Sequence, residues 1–231
     1  ADGSIHQMEL AGIQLSVATA DEYGKIDLNV ANAYMLRSLL LATGIETQQA
    51  DSITDSILDW RDKDDLKRLN GAENSDYQQI GILAAPKNAP FTSIFELRQV
   101  MGMDDLLFRA IKDSITVHSA KQSVNPLVAP KLVLMALQNW DEYQADQFIE
   151  ERRNLHAEGL SIPTGSLSSP FFATSLRGLN YTILTQAVIN PNIRSGMSVV
   201  VQRRGGKGKE FFELLDMHSL NKEIFRNDLL N

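Results

Sequence analysis

Cysteine is absent from this 231-residue sequence, and histidine is scarce. Without a thiol the chain cannot form a disulfide, use a thiolate nucleophile or bind a metal through sulfur. The four histidines are scattered without the spacing of metal ligands, and no serine stands in a nucleophile-elbow sequence. We therefore expect a protein that is not an enzyme.

Long apolar runs and an excess of basic residues are also missing. No stretch has the length and apolarity of a transmembrane helix, and no signal peptide is present. The chain has 22 Lys and Arg against 29 Asp and Glu, a net charge of −7, which disfavours a general nucleic-acid binder. Because the sequence begins at Ala1 without an initiator Met, we expect a processed or truncated form whose targeting segment has been lost.

Aspartate, in contrast, is concentrated in residues 51–77. The apolar residues Ile53, Ile57 and Trp60 recur at spacings of three and four, which predicts one buried stripe of a helix that ends near Arg61. A loop rich in carboxylates follows this helix. The aspartates of the helix and the loop are Asp51, Asp55, Asp59, Asp62, Asp64 and Asp65.

The acidic loop has the side chains that a calcium site needs, but it is not an EF-hand. Counted from Asp62, it has Leu66 and Lys67 where an EF-hand requires an oxygen ligand and a glycine. An irregular calcium loop remains one interpretation, and a solvated acidic helix end with basic neighbours is the other. The calcium ligands in the first interpretation are Asp62, Asp64, Glu73 and Asn74.

Alternating apolar patterns place strands at both ends of the sequence. Residues 13–18 and 25–29 flank the turn sequence DEYG, which predicts a β-hairpin. Helical periodicity replaces the alternation in the middle of the chain. Residues 181–189, 198–202 and 211–217 then predict an antiparallel sheet. The order of elements suggests an all-helical insertion inside a small sheet domain.

The helical region contains a weak internal repeat. Helix pairs turn at Gly44 and Gly102, and residues 124–154 repeat the theme without the glycine. Such pairs resemble helix-hairpin-helix modules, which bind DNA phosphate through backbone amides. Nucleic-acid binding is therefore the alternative function, and helix packing is the simpler interpretation, because glycine readily reverses a helix. The flanking residues Glu46, Asp51, Asp104 and Asp105 repel phosphate, so we predict no nucleic-acid partner.

Four sequence words carry a family resemblance. In chain order they are DEYGKIDLN, ILDWRDKDD, GAENSDY and KNAPFTSIFELRQVMGM. Their order and spacing resemble the minor pseudopilin K family of the bacterial type II secretion system, over most of residues 21–103. The segment VNPLVA and the final strands resemble the family more loosely.

This resemblance implies an α+β fold, in which a pilin-like antiparallel sheet domain is interrupted by a large all-helical insertion with helix-hairpin-helix-like repeats. The expected boundaries are 1–29 for the first part of the pilin-like domain, 30–165 for the helical insertion and 166–231 for the C-terminal strands. They agree with the order of elements predicted from periodicity alone.

The resemblance also implies a mechanical role. A minor pseudopilin K caps the tip of the periplasmic pseudopilus with minor pseudopilins I and J and supports export of folded proteins across the outer membrane. Other pseudopilins and the secreted substrate are further expected partners. We expect a periplasmic protein of a Gram-negative bacterium, held in the inner membrane by an N-terminal helix that this sequence lacks.

The family carries calcium near the words that match ILDWRDKDD and GAENSDY. The resemblance therefore places structural Ca²⁺ at Asp62, Asp64, Glu73 and Asn74. The family has Asp where this chain has Asn74, which keeps one carbonyl oxygen but loses a charge. The expected role of the ion is to brace the loop between the Trp60 helix and Tyr77.

Overall fold

The computed structural model describes residues 1–81, 85–175, 178–190, 193–206 and 209–220. The chain forms two compact units. Residues 1–23 and the described residues from 178 onward form the first, which we call the sheet unit, and residues 24–175 belong to the second, the helical unit. The sequence-based boundaries were placed at 29/30 and 165/166, and residues 221–231 of the last predicted segment lie outside the described residues.

The sheet unit is one five-stranded antiparallel sheet. Strands are numbered along the whole chain, and their spatial order is β1-β2-β5-β6-β7. The three strands predicted near the C-terminus are present and extend beyond the predicted residues. The strands are β1 (Asp2–Leu10), β2 (Ile13–Asp21), β5 (Asn180–Asn190), β6 (Ile193–Gly206) and β7 (Lys209–Leu220).

The N-terminal hairpin differs from the predicted one. β2 pairs with β1 through a two-residue turn at Ala11 and Gly12, whose φ angles of 51° and 78° are those of a hairpin turn that matches strand twist. The prediction that residues 13–18 pair with residues 25–29 is wrong. The sequence pattern gave no indication of β1, whose side chains are largely exposed and polar.

The segment DEYG does not continue the sheet, because its residues form a tight turn. Residues Glu22–Gly24 form a 3-10 turn, and the backbone N–H of Tyr23 donates to Asp21 Oδ1 at 2.9 Å. The chain then enters the helical unit, where β3 (Ile26–Asp27) pairs in parallel with β4 (Ile115–Thr116). This pairing explains why the division between the units comes earlier than the predicted boundary at residue 29.

The helical unit contains short helices around one apolar core. The predicted stripe of the second helix is confirmed, since Ile53, Ile57 and Trp60 are buried and the helix ends at Arg61. Trp60 lies near Tyr77 and Phe91, with ring centroids 6.0 Å and 6.3 Å away. The helices are α1 (Ala33–Leu41), α2 (Thr47–Arg61), α3 (Asn74–Gln79), α4 (Asp105–Ile111), α5 (Lys131–Gln138) and α6 (Glu142–Ala157), with a 3-10 helix at Ile94–Gln99.

One face of the sheet is rich in apolar side chains, and in the described residues each of them is partly or fully exposed. Cross-strand partners share a face of an antiparallel sheet, so the register places the apolar residues of four strands together. Met197, Leu214 and Met217 on this face are 41%, 56% and 55% exposed. We call this surface the apolar face; its members are Leu15, Val17, Ile183, Met197, Val199, Val201, Phe212, Leu214 and Met217.

Within the described parts of the chain, no helix combines the length and the apolarity that crossing a bilayer requires.

Candidate metal centre

The carboxylates of α2 hold the acidic loop in place. Asp55 and Asp59 lie one turn apart on the same side of α2. The backbone N–H of Asn70 donates to Asp55 Oδ2 at 3.0 Å, and that of Arg68 donates to Asp59 Oδ2 at 3.2 Å. Ser52 Oγ donates to the carbonyl of Asn70 at 3.0 Å. The loop is therefore fixed by side chains of α2 although it has no regular structure of its own.

Asp59 is the most deeply buried carboxylate of this region. Its side chain is inaccessible to solvent, and Arg68 Nη1 lies 2.6 Å from its Oδ1. The same Nη1 also donates to Asp62 Oδ2. Burial raises the pKa of Asp59 above its ordinary value, although the hydrogen bonds from Arg68 oppose that rise. Arg68 is thus the counter-ion of two carboxylates at once.

Gly71 is required by the close approach of Asp59. A Cβ at position 71 would lie 2.0 Å from Asp59 Oδ2, well inside van der Waals contact. Any side chain there would displace the buried carboxylate or the loop. The glycine of the sequence word GAENSDY therefore serves the packing of this site.

Glu73 is buried, and none of the ion pairs among the described residues includes it. It is 5% exposed and lies at the N-cap of α3, where Asp76 Oδ2 accepts its backbone N–H at 2.9 Å. Its own carboxylate faces the start of α3 in a loose capping box. In the described chain, neither Glu73 oxygen makes a hydrogen bond of ordinary geometry. Buried carboxylates normally have well-formed hydrogen bonds, so the capping contact satisfies this one only weakly.

The electrostatic surroundings of Glu73 are strongly negative. Burial, followed by the charges of Asp59, Asp62, Asp65 and Asp64, raises the pKa of Glu73 to about 7. Several carboxylates near one buried acid disfavour its ionised form unless positive charge is supplied. The site therefore combines an unpartnered acid with an excess of negative charge.

The four sequence-predicted ligands occupy different environments. Asp62 is half-buried, and its Oδ1 is buried without a hydrogen-bond partner in the described chain. Asp64 is exposed, and its Oδ1 accepts the Leu66 backbone N–H at 3.0 Å. Asn74 is exposed, and its Oδ1 accepts from Gln78 Nε2 at 3.1 Å. Asp62 and Glu73 thus both present unpartnered buried oxygens, whereas Asp64 and Asn74 point to solvent-accessible positions.

The oxygen donors fit calcium in chemistry, although their arrangement is not that of a preformed cage. Calcium prefers carboxylate and carbonyl oxygens in flexible loops, and the unpartnered oxygens of Asp62 and Glu73 are of that kind. In the residues that the structure describes, no group of three or more His, Asp or Glu side chains is arranged to hold a metal ion. The Arg68 guanidinium interacts with Asp62 and Asp59 in this arrangement.

Sequence reasoning listed Asp55 and Asp59 among the aspartates of the region but assigned no role to either of them or to Arg68. Asp55 and Asp59 are four residues apart in α2, and this spacing could have predicted that both carboxylates lie on the side of the helix that contacts the loop. The pairing of Arg68 with Asp59 and Asp62 depends on the path of the loop, which no helical or strand period predicts.

Comparison with solved structures identifies a protein of the same fold. A chain of the crystal structure of the GspK-GspI-GspJ complex from the enterotoxigenic Escherichia coli type 2 secretion system has the same fold, with a TM-score of 0.65 and 18% sequence identity. The match covers 94% of this chain and 84% of that chain. The chain is therefore an α+β protein with the fold of a component of a secretion-system complex.

Sequence comparison gives the family. Residues 14–120 match the family model described as type II secretion system protein K. The type II secretion system protein K of Dickeya chrysanthemi is 32% identical over 126 residues, which are 52% of this chain and 34% of that relative. The protein K of Klebsiella pneumoniae is 30% identical over 147 residues, or 60% of this chain and 43% of the relative. Over residues 14–120 this chain is therefore similar to the type II secretion system protein K family. It spans less than half the length of these curated relatives.

Proposed function

We propose that this chain is part of a non-enzymatic minor pseudopilin, which caps the pseudopilus tip with pseudopilins I and J and so supports export of folded proteins across the outer membrane. The observation that carries the proposal is the shared fold over 94% of the chain with a chain of the GspK-GspI-GspJ complex. The protein acts in the periplasm, and the full-length form is anchored in the inner membrane. Other pseudopilins and the secreted substrate are further contacts of the assembled tip.

The apolar face supports assembly with partners. Monomeric proteins rarely leave a large contiguous apolar surface in water, and such surfaces mark interaction sites. Leu214 and Met217 on β7, each more than half exposed, lie where a partner could bury them. The surface has the apolar composition that a docking helix or a second sheet requires.

Reconstitution tests the partnership directly. The purified chain is mixed with the periplasmic domains of pseudopilins I and J from the same organism and separated by size-exclusion chromatography with light scattering. We expect a complex that contains all three chains. The variant Leu214→Lys should weaken it, whereas Leu106→Lys, at an exposed position of the helical unit, is the matched control. Failure of the wild-type chain to bind either partner would contradict the proposal.

Capping and export require a test in cells. A strain that lacks its own protein K is complemented with the full-length gene, and secreted protein and pseudopilus length are measured. We expect restored export and short pseudopili with the wild-type gene. Export that proceeds equally well without the gene would overturn the proposed role.

We also propose that Ca²⁺ bound by Asp62, Glu73, Asp64 and Asn74 braces the acidic loop. The buried oxygens of Glu73 and Asp62 support this proposal, as do the burial and the neighbouring negative charges that together raise the pKa of Glu73 to about 7. A bound dication would supply the positive charge that this buried acid lacks. Its contribution is structural, because it would link the end of α2 to the start of α3.

Calorimetry with calcium, combined with melting curves in calcium and in chelator, tests the metal proposal. We expect saturable binding and a higher melting temperature in calcium. Asp62→Ala and Glu73→Ala should remove most of that increase, whereas Asp113→Ala, at an exposed aspartate outside the loop, should retain it. Identical melting of the wild-type chain in calcium and chelator would exclude a stabilising metal.

The helix-hairpin-helix-like repeat stays a proposal that backbone geometry supports. Gly44 and Gly102 have φ angles of 87° and 85° between successive helices, and Asn139 between α5 and α6 has a φ angle of 58°. At each of these turns, one residue in the left-handed conformation reverses the direction of the chain. We infer that these turns serve packing, and a gel-shift assay with duplex DNA at low salt should show no complex. Retarded DNA would favour the nucleic-acid alternative instead.

A further inference from the structure

Asn70 and Gly71 form the one Asn-Gly dipeptide of the sequence. In such a dipeptide the glycine has no side chain that keeps its backbone nitrogen away from the asparagine amide carbon, so the nitrogen can attack that carbon. Asn70 is exposed, and water therefore reaches its side-chain amide. The pair has the residue types and the accessibility that spontaneous deamidation requires.

Deamidation of this pair would proceed in two steps. The backbone nitrogen of Gly71 loses its proton and bonds to Cγ of Asn70, the Cγ–Nδ2 bond breaks, and the Nδ2 group leaves with that proton as ammonia. Water then adds to either carbonyl of the resulting cyclic imide and opens the ring. The product is an aspartate or an isoaspartate at position 70, which is negatively charged at neutral pH.

The contact between the acidic loop and α2 depends on both members of the dipeptide. A Cβ at position 71 would lie 2.0 Å from Asp59 Oδ2 and 3.2 Å from the backbone carbonyl carbon of Asp55, so α2 leaves room only for glycine. The side-chain Nδ2 of Asn70 donates to Asp55 Oδ2 at 3.2 Å, and the backbone N–H of Asn70 donates to the same oxygen at 3.0 Å. An aspartate at position 70 would have no side-chain donor for this carboxylate.

The folded loop opposes the first step of the reaction. The backbone N–H of Gly71, which must lose its proton, donates to the carbonyl of Arg68 at 3.2 Å. The Nδ2 group that must leave is held by Asp55. The carboxylates of Asp55 and Asp59 lie next to the dipeptide, and nearby negative charge disfavours the amide anion that attacks Cγ. The geometry and the charge of the loop therefore both slow the attack.

We propose that Asn70 is a spontaneous modification site that Asp55 keeps in the amide form, and that its conversion to aspartate or isoaspartate releases the acidic loop from α2. After conversion, a carboxylate at position 70 replaces the amide that donated to Asp55, so two negative charges repel each other. An isoaspartate also lengthens the backbone before Gly71. Asn70 is outside the proposed ligand set, and the inference stands without the metal centre.

Incubation of the folded chain at mildly alkaline pH, followed by peptide mapping with mass spectrometry, tests the protection. We expect slow conversion of Asn70 in the wild-type chain and faster conversion when urea unfolds it. Asp55→Ala should convert Asn70 about tenfold faster than the wild-type chain, which is the change that one nearby unit charge makes in the population of an ionised form. Asp51→Ala is the matched control, because Asp51 lies one turn earlier on α2 and pairs with Arg37; it should convert Asn70 at the wild-type rate.

The rates decide between three outcomes. Faster conversion of Asn70 in Asp55→Ala than in Asp51→Ala supports the role of Asp55. Equal rates in the two variants overturn that role, and so does a folded wild-type chain that converts as fast as the unfolded one. An unfolded chain in which Asn70 does not convert overturns the modification site itself. Asp55→Asn, which keeps an acceptor oxygen and removes only the charge, gives the same comparison if Asp55→Ala unfolds.

Substitution of the product residue tests the release of the loop. Asn70→Asp should lower the melting temperature at neutral pH, because the new carboxylate repels Asp55. The double variant Asp55→Asn with Asn70→Asp exchanges the two side chains and restores a donor to the contact, so it should recover most of this loss. Unchanged melting of Asn70→Asp would overturn the release. A loss that the double variant does not recover would overturn it as well, because the repulsion would then not involve Asp55.

Discussion

The two compact units differ in how far their apolar residues are buried. The helical unit buries a continuous cluster that includes Met35, Leu39, Ile57 and Leu134. In the described part of the sheet unit, the buried apolar residues are Ala18, Tyr23 and Val200. The members of the apolar face are partly or fully exposed. The helical unit buries most of its apolar side chains in its own core, whereas the sheet unit leaves apolar surface exposed.

This difference suggests that the two units have different functions. A unit with its own core can present a rigid loop, and the carboxylates of α2 fix the acidic loop against that core. A sheet with an accessible apolar face gains stability when something covers that face. We therefore propose that assembly involves the sheet unit, and the proposed metal would bind to the helical unit.

Truncation of the core should show the largest effect. Ile57→Ala, at a residue that is 1% exposed, should lower the free energy of unfolding by about 2–4 kcal/mol through lost burial and a residual cavity. Leu214→Ala on the apolar face should lower it by less than about 1 kcal/mol. Urea unfolding followed by far-UV circular dichroism measures both, and equal losses would contradict the comparison between the units.

Gly71→Ala should rank second. The added Cβ would lie 2.0 Å from Asp59 Oδ2, so the loop or the carboxylate must move, at a cost of about 1–3 kcal/mol. Gly165→Ala is the control, because its Cβ would have no neighbour within 4 Å. Melting curves should separate the two variants clearly. Equal stability of Gly71→Ala and the wild-type chain would show that Asp59 is free to relocate.

Periodicity predicted the helical core and the C-terminal strands well. Alternation marks residues 181–189 because hydrophobic burial on one face repeats every two residues, and the spacing of Ile53, Ile57 and Trp60 identifies the buried side of α2. The first hairpin was mispredicted because DEYG has the composition of a hairpin turn. The side chain of Asp21 instead bonds to the backbone of Tyr23 and directs the chain out of the sheet.

Composition predicted the position of the acidic cluster in the sequence, but it could not predict the contacts between its side chains. The density of carboxylates favoured a cation, and the ligand set Asp62, Asp64, Glu73 and Asn74 stays a prediction. Asp62 and Glu73 of that set have buried side-chain oxygens. The pairing of Arg68 with Asp59 and Asp62 is a property of loop geometry and of the space that Gly71 leaves. Rules based on local sequence cannot predict such a contact between a loop and a helix end.

The pH dependence of stability should reflect Glu73. Its pKa in the folded chain is raised to about 7 from an ordinary value of 4.5, so between these values the folded state binds more protons than the unfolded state. Stability of the metal-free chain should therefore fall as the pH rises from about 4.5 to 7. Glu73→Gln should flatten this part of the profile, and the control Glu150→Gln, at an exposed position of α6, should not. Melting temperatures in chelator across this range provide the measurement, and an unchanged slope in Glu73→Gln would assign the effect to other groups.

The smallest effect on stability, and a visible one on association, is expected at the apolar face. Met217→Ser replaces an accessible apolar side chain, 55% exposed, so the free energy of unfolding should change by no more than about 0.5 kcal/mol. Self-association at high concentration should nevertheless decrease, because less apolar surface is available to be buried between molecules. Leu106→Ser, at a position of the helical unit that is 79% exposed, removes an isolated apolar side chain and should leave association unchanged. Sedimentation velocity over a concentration series distinguishes the two variants. If Leu106→Ser reduced association as much as Met217→Ser, the helical unit would share the role that the comparison gives to the sheet unit alone.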